Sequence, residues 1–210
     1  MTTEKTKESG SPQKEALRRQ MHGFLDSIPP KQASEWSESL CQQVLELPEV
    51  ANAESVLTCL SFGGEPDTWG LVGQLVALNR RVYVPRVEAG DSQLHIHSYP
   101  CDLRMLSFGL RQPVPEAPEV APTAIDREID VVLVLGLSFG RNGYRLGHGG
   151  GYFDRFLSRH RLPAVGMAYD LQLVGRVPRE SHDIPMSVIV TERGPVRPDD
   201  DSGNREEHHK

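Results

Sequence analysis

Lysine is nearly absent from this chain: Lys5, Lys7, Lys14, Lys31 and Lys210 are the whole set, with none between Lys31 and Lys210. If an ammonium is needed on a phosphate, the N-terminal segment must supply it. Cysteine is equally scarce. Cys41, Cys59 and Cys101 are odd in number and share no metal-ligand spacing, which excludes a disulfide framework and a zinc ribbon and fits a reduced, cytoplasmic protein. Long apolar runs are missing, which excludes a helical membrane span, and the polar stretch Met1 to Pro12 lacks the apolar core of a signal peptide. Basic blocks are missing too. The formal net charge of −6 argues against a nucleic-acid surface, while eighteen scattered arginines leave room for a local positive cleft.

What is present has the size of one ordinary domain, with enough core to fold alone at 210 residues. Residues 1–12 and 194–210 are polar and lack an apolar period, so both are expected to be disordered tails around a single domain at 13–193. Between them, helical patterns are read near Gln13–Asp26, Ala33–Leu47 and Thr68–Asn79. Strand patterns fall at Ser55–Leu60, Arg81–Pro85, Leu94–Ser98, Asp130–Leu135, Ala164–Ala168 and Val188–Thr191. This alternation predicts an α/β fold, a three-layer α/β/α sandwich with a mostly parallel sheet. The Val/Ile/Leu-rich strands fit burial on both faces. Pro113–Pro122 is read as a surface connection inside the domain, and a monomer is expected.

The run Gly140 to Leu157 carries the chemistry. It follows an apolar strand pattern, Asp130 to Leu137, and leads into a helical one at Tyr152 to Arg159. A glycine-rich turn between strand and helix leaves backbone N–H groups free to face an anion, backed by the positive end of the helix dipole. The pattern is neither of the common phosphate loops. Tyr152 stands where a dinucleotide fingerprint needs its third glycine and where a P-loop needs its lysine. Gly149, Gly150 and Gly151 permit close approach of a polyphosphate, and Arg145 adds a permanent charge. A carboxylate beside a polyphosphate, as Asp154 would be, makes sense as a magnesium ligand. Lys14 and Arg18 share one face of the first helix at i and i+4.

Together these segments resemble the 5-formyltetrahydrofolate cyclo-ligase family, also called methenyltetrahydrofolate synthetase, over roughly Lys14 to Glu192. Its opening Lys-x-x-Leu-Arg is matched by Lys14-Glu15-Ala16-Leu17-Arg18, and its Arg-Leu-Gly-x-Gly-x-Gly-Tyr-Tyr-Asp loop by Arg145 through Asp154, with Phe153 for the second tyrosine. Further matches are Leu60 to Thr68, Val84-Pro85-Arg86, Phe108-Gly109-Leu110 and Val188 to Glu192. The resemblance implies ATP-dependent closure of 5-formyltetrahydrofolate to 5,10-methenyltetrahydrofolate, with ATP as co-substrate and Mg2+ as cofactor. It assigns ATP to Lys14, Arg18, Arg145, Leu146, Gly147, His148, Gly149, Gly150, Gly151, Tyr152 and Phe153. The reduced folate falls to Leu60, Phe62, Glu65, Gly149 and Tyr152, and the metal to Asp154, with Asp183 as a substitute ligand.

The family aspartate after Phe139 is Gly140 here, its Glu-Pro reads Gln112-Pro113, and its aspartate before the last strand is Ser187. These departures motivate an alternative, a paralogue that binds nucleotide or folate without turnover. An enzyme of the same general fold acting on a sugar phosphate or a CoA thioester ranks last, for want of its own catalytic carboxylate. His95 and His97 alternate on one strand and are expected on an exposed face.

Overall fold

The computed structural model describes residues 11–107 and 109–198; Phe108 and the expected tail segments 1–10 and 199–210 lie outside them. In chain order the elements are α1 (Pro12–Ser27), α2 (Pro30–Glu46), α3 (Pro48–Ala51), β1 (Ser55–Thr58), α4 (Trp69–Ala77), β2 (Arg81–Arg86) and β3 (His95–Tyr99). There follow β4 (Leu103–Met105), β5 (Arg111–Pro113), α5 (Ile125–Glu128), β6 (Val131–Leu135), β7 (Ser138–Gly140), β8 (Arg145–Leu146) and α6 (Tyr152–Arg159). The last are β9 (Ala164–Met167), β10 (Leu173–Val174), β11 (Val188–Thr191) and β12 (Gly194–Val196).

Seven strands form the main sheet in the order β12-β11-β9-β6-β1-β2-β3. The five inner strands are parallel, and the edge strands β3 and β12 are antiparallel. Parallel strands need cover on both faces, and successive residues supply it by alternation. Val56, Leu133, Val165 and Val188 pack with Leu40 and Val44 of α2 and Leu71 and Leu75 of α4. Their neighbours Leu57, Val132, Ala164 and Ile189 pack with Ile125 of α5 and Phe156 and Leu157 of α6. Three layers result, as the strand and helix pattern predicts. Among the described residues, no helix is long and apolar enough to cross a membrane.

Regular elements extend slightly past residues 13 and 193. Ser11 caps α1, its hydroxyl accepting from Lys14 N at 3.3 Å, and Pro12 begins the first turn. Met21 and Leu25 then seat the helix on Leu137 and Tyr169. At the other end, β12 pairs with β11 and Val196 packs against the second core cluster. A three-residue edge strand containing a proline carries no period from which it could be read.

Each departure from the family pattern has a local cause. A Cβ at Gly140 would stand 2.4 Å from Asn142 Oδ1 and 2.9 Å from Val177 N, so an aspartate has no room. The buried Gln112 accepts from Val87 N at 3.1 Å and donates to Val87 O at 3.0 Å, and the second of these needs an amide. Ser187 Oγ donates to Ala164 O at 2.8 Å. His97 corrects the expectation of an exposed face: it is fully buried, accepts from Arg86 Nε at 3.2 Å and donates through Nδ1 to Ala117 O at 3.0 Å. Burial holds its pKa below the usual histidine range.

The strand order sets the position of the site. From β1 the chain moves to β2 on one side, and β6 lies on the other, so the order reverses between β1 and β6. Ligands of open α/β sheets bind outside the carboxyl ends of strands at such a point. Beyond β6, Phe139 of β7 is driven beneath β9, where Gly166 makes way for it. A Cβ there would stand 2.5 Å from the ring. Gly166→Ala is therefore expected to cost about 1–3 kcal/mol through overpacking, seen as a lower urea midpoint at unchanged slope. An unaltered midpoint would show that Phe139 has slack.

Candidate active site

After β1, the segment Cys59 to Asp67 is braced by Thr68, whose hydroxyl donates to Cys59 O at 2.8 Å and accepts from Ser61 N at 2.9 Å. Thr68 N in turn donates to Ser61 Oγ at 2.9 Å. This closed turn presents Glu65. One carboxylate oxygen accepts from Phe62 N at 3.1 Å, and the other lies 3.0 Å from His148 Nε2, with the side chain only 8% exposed.

The glycine-rich loop leaves β8 and starts α6. Gly149 and Gly151 have φ of +101° and +61°, which disfavour any side chain. Arg18 reaches across from α1, donating through Nε to Gly147 O at 3.0 Å, and its guanidinium lies 3.5 Å from where a Gly149 Cβ would be. A second arginine grips the other side. Arg155 donates through Nε to Ser92 O and through Nη2 to Gly150 O, both at 2.7 Å, and lies over the Tyr152 ring with its centroid 5.2 Å away. The Tyr152 hydroxyl donates to Asp91 O at 3.2 Å. Arg155, Asp91 and Ser92 were missed in the sequence. Arg155 lies within the recognised run, but its reach to the loop between β2 and β3 leaves no local signal.

Lys14 is buried and paired at 2.9 Å with Asp183 and at 3.3 Å with Glu180. Burial pushes Asp183 up, but bonds from Lys14 and from Glu180 N outweigh it and hold the carboxyl below its usual range. Glu180, His182 and Asp183 place ligand atoms within 4.8 Å of one another. The Lys14 ammonium already pairs with Glu180 and Asp183, so in this arrangement the two carboxylates neutralise a lysine.

Arg145 is buried, 3.2 Å from Asp154 Oδ2, and donates to Ile184 O at 3.3 Å; Ile184 N donates to Asp154 Oδ1 at 3.1 Å. Burial lowers the Arg145 pKa, opposed by Asp154 and Asp183. Both Asp154 oxygens are paired in this arrangement, and their remaining lone pairs suit a magnesium ion, which takes few carboxylates and keeps several waters.

Two of the expected contact residues have buried side chains. Leu60 is 3% exposed within the core cluster containing Leu71, and Leu146 is 1% exposed with its carbonyl accepting from Leu137 N at 2.7 Å. Both side chains are turned inward, where they anchor the segments that carry the site. Phe153 also packs partly into the core, with the Arg145 guanidinium 5.9 Å from its ring centroid. Lys14, Arg18, Glu65, His148, Arg145 and Asp154 are thus brought together by α1, the β1–α4 turn, the glycine-rich loop and the 180–184 segment.

The sequence profile of the 5-formyltetrahydrofolate cyclo-ligase family matches residues 10–192. The 5-formyltetrahydrofolate cyclo-ligase of Escherichia coli (strain K12) is 32% identical over 171 residues, covering 79% of this chain and 92% of that protein. That of Saccharomyces cerevisiae is 29% identical over 204 residues, 87% of this chain and 97% of the yeast protein. The solved structure of Aquifex aeolicus 5,10-methenyltetrahydrofolate synthetase superposes with a TM-score of 0.75 at 30% identity, over 94% of this chain and 99% of that one. A profile that spans the first helix, the glycine-rich loop and β11 leaves no main part of the site outside the match, and the chain belongs to the 5-formyltetrahydrofolate cyclo-ligase family.

Proposed function

We infer that the protein catalyses the ATP-dependent cyclisation of 5-formyltetrahydrofolate to 5,10-methenyltetrahydrofolate, releasing ADP and phosphate. Beside family membership, the observation that carries this reading is the 3.0 Å approach of Glu65 to His148. It sets a nearly buried carboxylate, suited to the amino and amide N–H donors of a pterin, against a loop built for polyphosphate.

The formyl oxygen is a poor leaving group until it is phosphorylated. It attacks the γ-phosphorus of ATP and ADP departs. Nitrogen-10 then attacks the activated carbon and loses its proton, and phosphate leaves with the former formyl oxygen. Little covalent help is needed, because such a reaction rests on alignment and charge neutralisation. Lys14, Arg18, Arg145 and the amides of Gly149 to Gly151 meet the phosphates. Lys14 exchanges Asp183 and Glu180 for them. Asp154 would hold Mg2+, which would supply charge neutralisation on the phosphates. Glu65, Phe62 and Tyr152 hold the folate, over the backbone that Leu60 anchors.

The catalytic unit is the single domain expected at 13–193, extended by β12, acting as a monomer in the cytoplasm on small-molecule substrates, with no nucleic acid or membrane partner. The non-catalytic alternative gains nothing from Gly140, Gln112 and Ser187, since each has a packing or hydrogen-bonding reason of its own.

Mixing the protein with 5-formyltetrahydrofolate and Mg-ATP is expected to give an ATP-dependent rise in methenyltetrahydrofolate absorbance. Asp154→Ala and Lys14→Met are each expected to lower kcat/KM by about 100-fold or more, the loss of roughly 3 kcal/mol of transition-state stabilisation. No rise from folded wild-type protein that still binds ATP would overturn the enzyme reading. A chelator is expected to stop turnover and added Mg2+ to restore it; turnover that persists in chelator would remove the metal role from Asp154.

A further inference from the structure

We propose that His148 and Glu65 form a self-paired gate on the folate site, which a ligand opens only by replacing the imidazole with hydrogen-bond donors of its own. The proposal rests on the reading of Glu65 as the pterin contact. His148 comes from the glycine-rich loop and Glu65 from the β1–α4 turn, 83 residues apart in sequence, and their side chains meet at 3.0 Å. The Glu65 side chain is 8% exposed against 44% for His148, so the imidazole covers the carboxylate from the solvent side. Its ring is in contact with two others, with centroids 5.7 Å from His22 of α1 and 5.6 Å from Phe62.

Glu65 Oε2 accepts from Phe62 N at 3.1 Å, and Oε1 is paired with His148. A ligand that pushes the imidazole away without offering N–H groups leaves a nearly buried carboxylate unpaired, a cost that rejects such ligands more strongly than any apolar contact could. A pterin, with an amino group beside a ring N–H, repays the exchange. His148 is therefore a specificity-determining residue. It does not touch the reacting atoms.

The test is equilibrium binding of 5-formyltetrahydrofolate without ATP, for wild type, His148→Ala, His148→Gln and Glu65→Gln. His148→Ala is expected to bind about three- to ten-fold more tightly than wild type, the worth of one hydrogen bond no longer competed for. His148→Gln keeps a donor, so its affinity falls between the two. Unchanged or weaker binding by His148→Ala overturns the gate. Unchanged binding by Glu65→Gln overturns the pterin reading beneath it, which is a separate failure: a gate that fails over a sound pterin site shows Glu65→Gln weakened and His148→Ala not improved.

Discussion

The buried pair of Lys14 and Asp183, 2.9 Å apart, is the interaction on which the site depends, because it fastens the first helix of the chain to the last loop before β11. A buried ammonium is costly unless it is paired and hydrogen-bonded, and Asp183 meets that need while accepting from Glu180 N at 2.8 Å. With the helix so placed, Arg18 falls on the glycine-rich loop and His22 on His148. Asp183 and Glu180 together supply the counter-charge that a buried ammonium needs.

The parallel core was legible from the sequence because its strands are short Val/Ile/Leu runs, separated by helical patterns of ordinary length. The small strands were not. β4, β5, β7, β8, β10 and β12 have two or three residues each, too few for any period, and they exist because their partners hold them. Three of them, β10-β7-β8, form the separate sheet from which the glycine-rich loop springs. His97 shows the same limit for a single residue. Alternation on β3 places it beside His95, but only its distant partners Arg86 and Ala117 make burial tolerable, and local sequence gives no view of them.

The candidate site divides along a similar line. Lys14, Arg18, Arg145, Gly149 and Asp154, the charges and bare backbone proposed to meet a ligand, were singled out from their type and spacing together with the family resemblance. What holds them was not: the Arg155 contacts, the 180–184 segment and the Glu65–His148 pair all join parts of the chain far apart in sequence. Leu60 and Leu146 illustrate the converse. Both stand within recognised motifs, yet their side chains belong to the core, so a motif can mark a position for its backbone as readily as for its side chain.

Arg155 and Tyr152 hold the loop between β2 and β3 entirely through the carbonyl oxygens of Asp91 and Ser92. A grip on main-chain atoms is indifferent to most side-chain replacements but sensitive to length, since one added or deleted residue would carry those oxygens out of reach. The wall on that side of the nucleotide loop is thus free to drift in composition while fixed in its residue count, and variation there among descendants of this sequence should be written in substitutions rather than insertions.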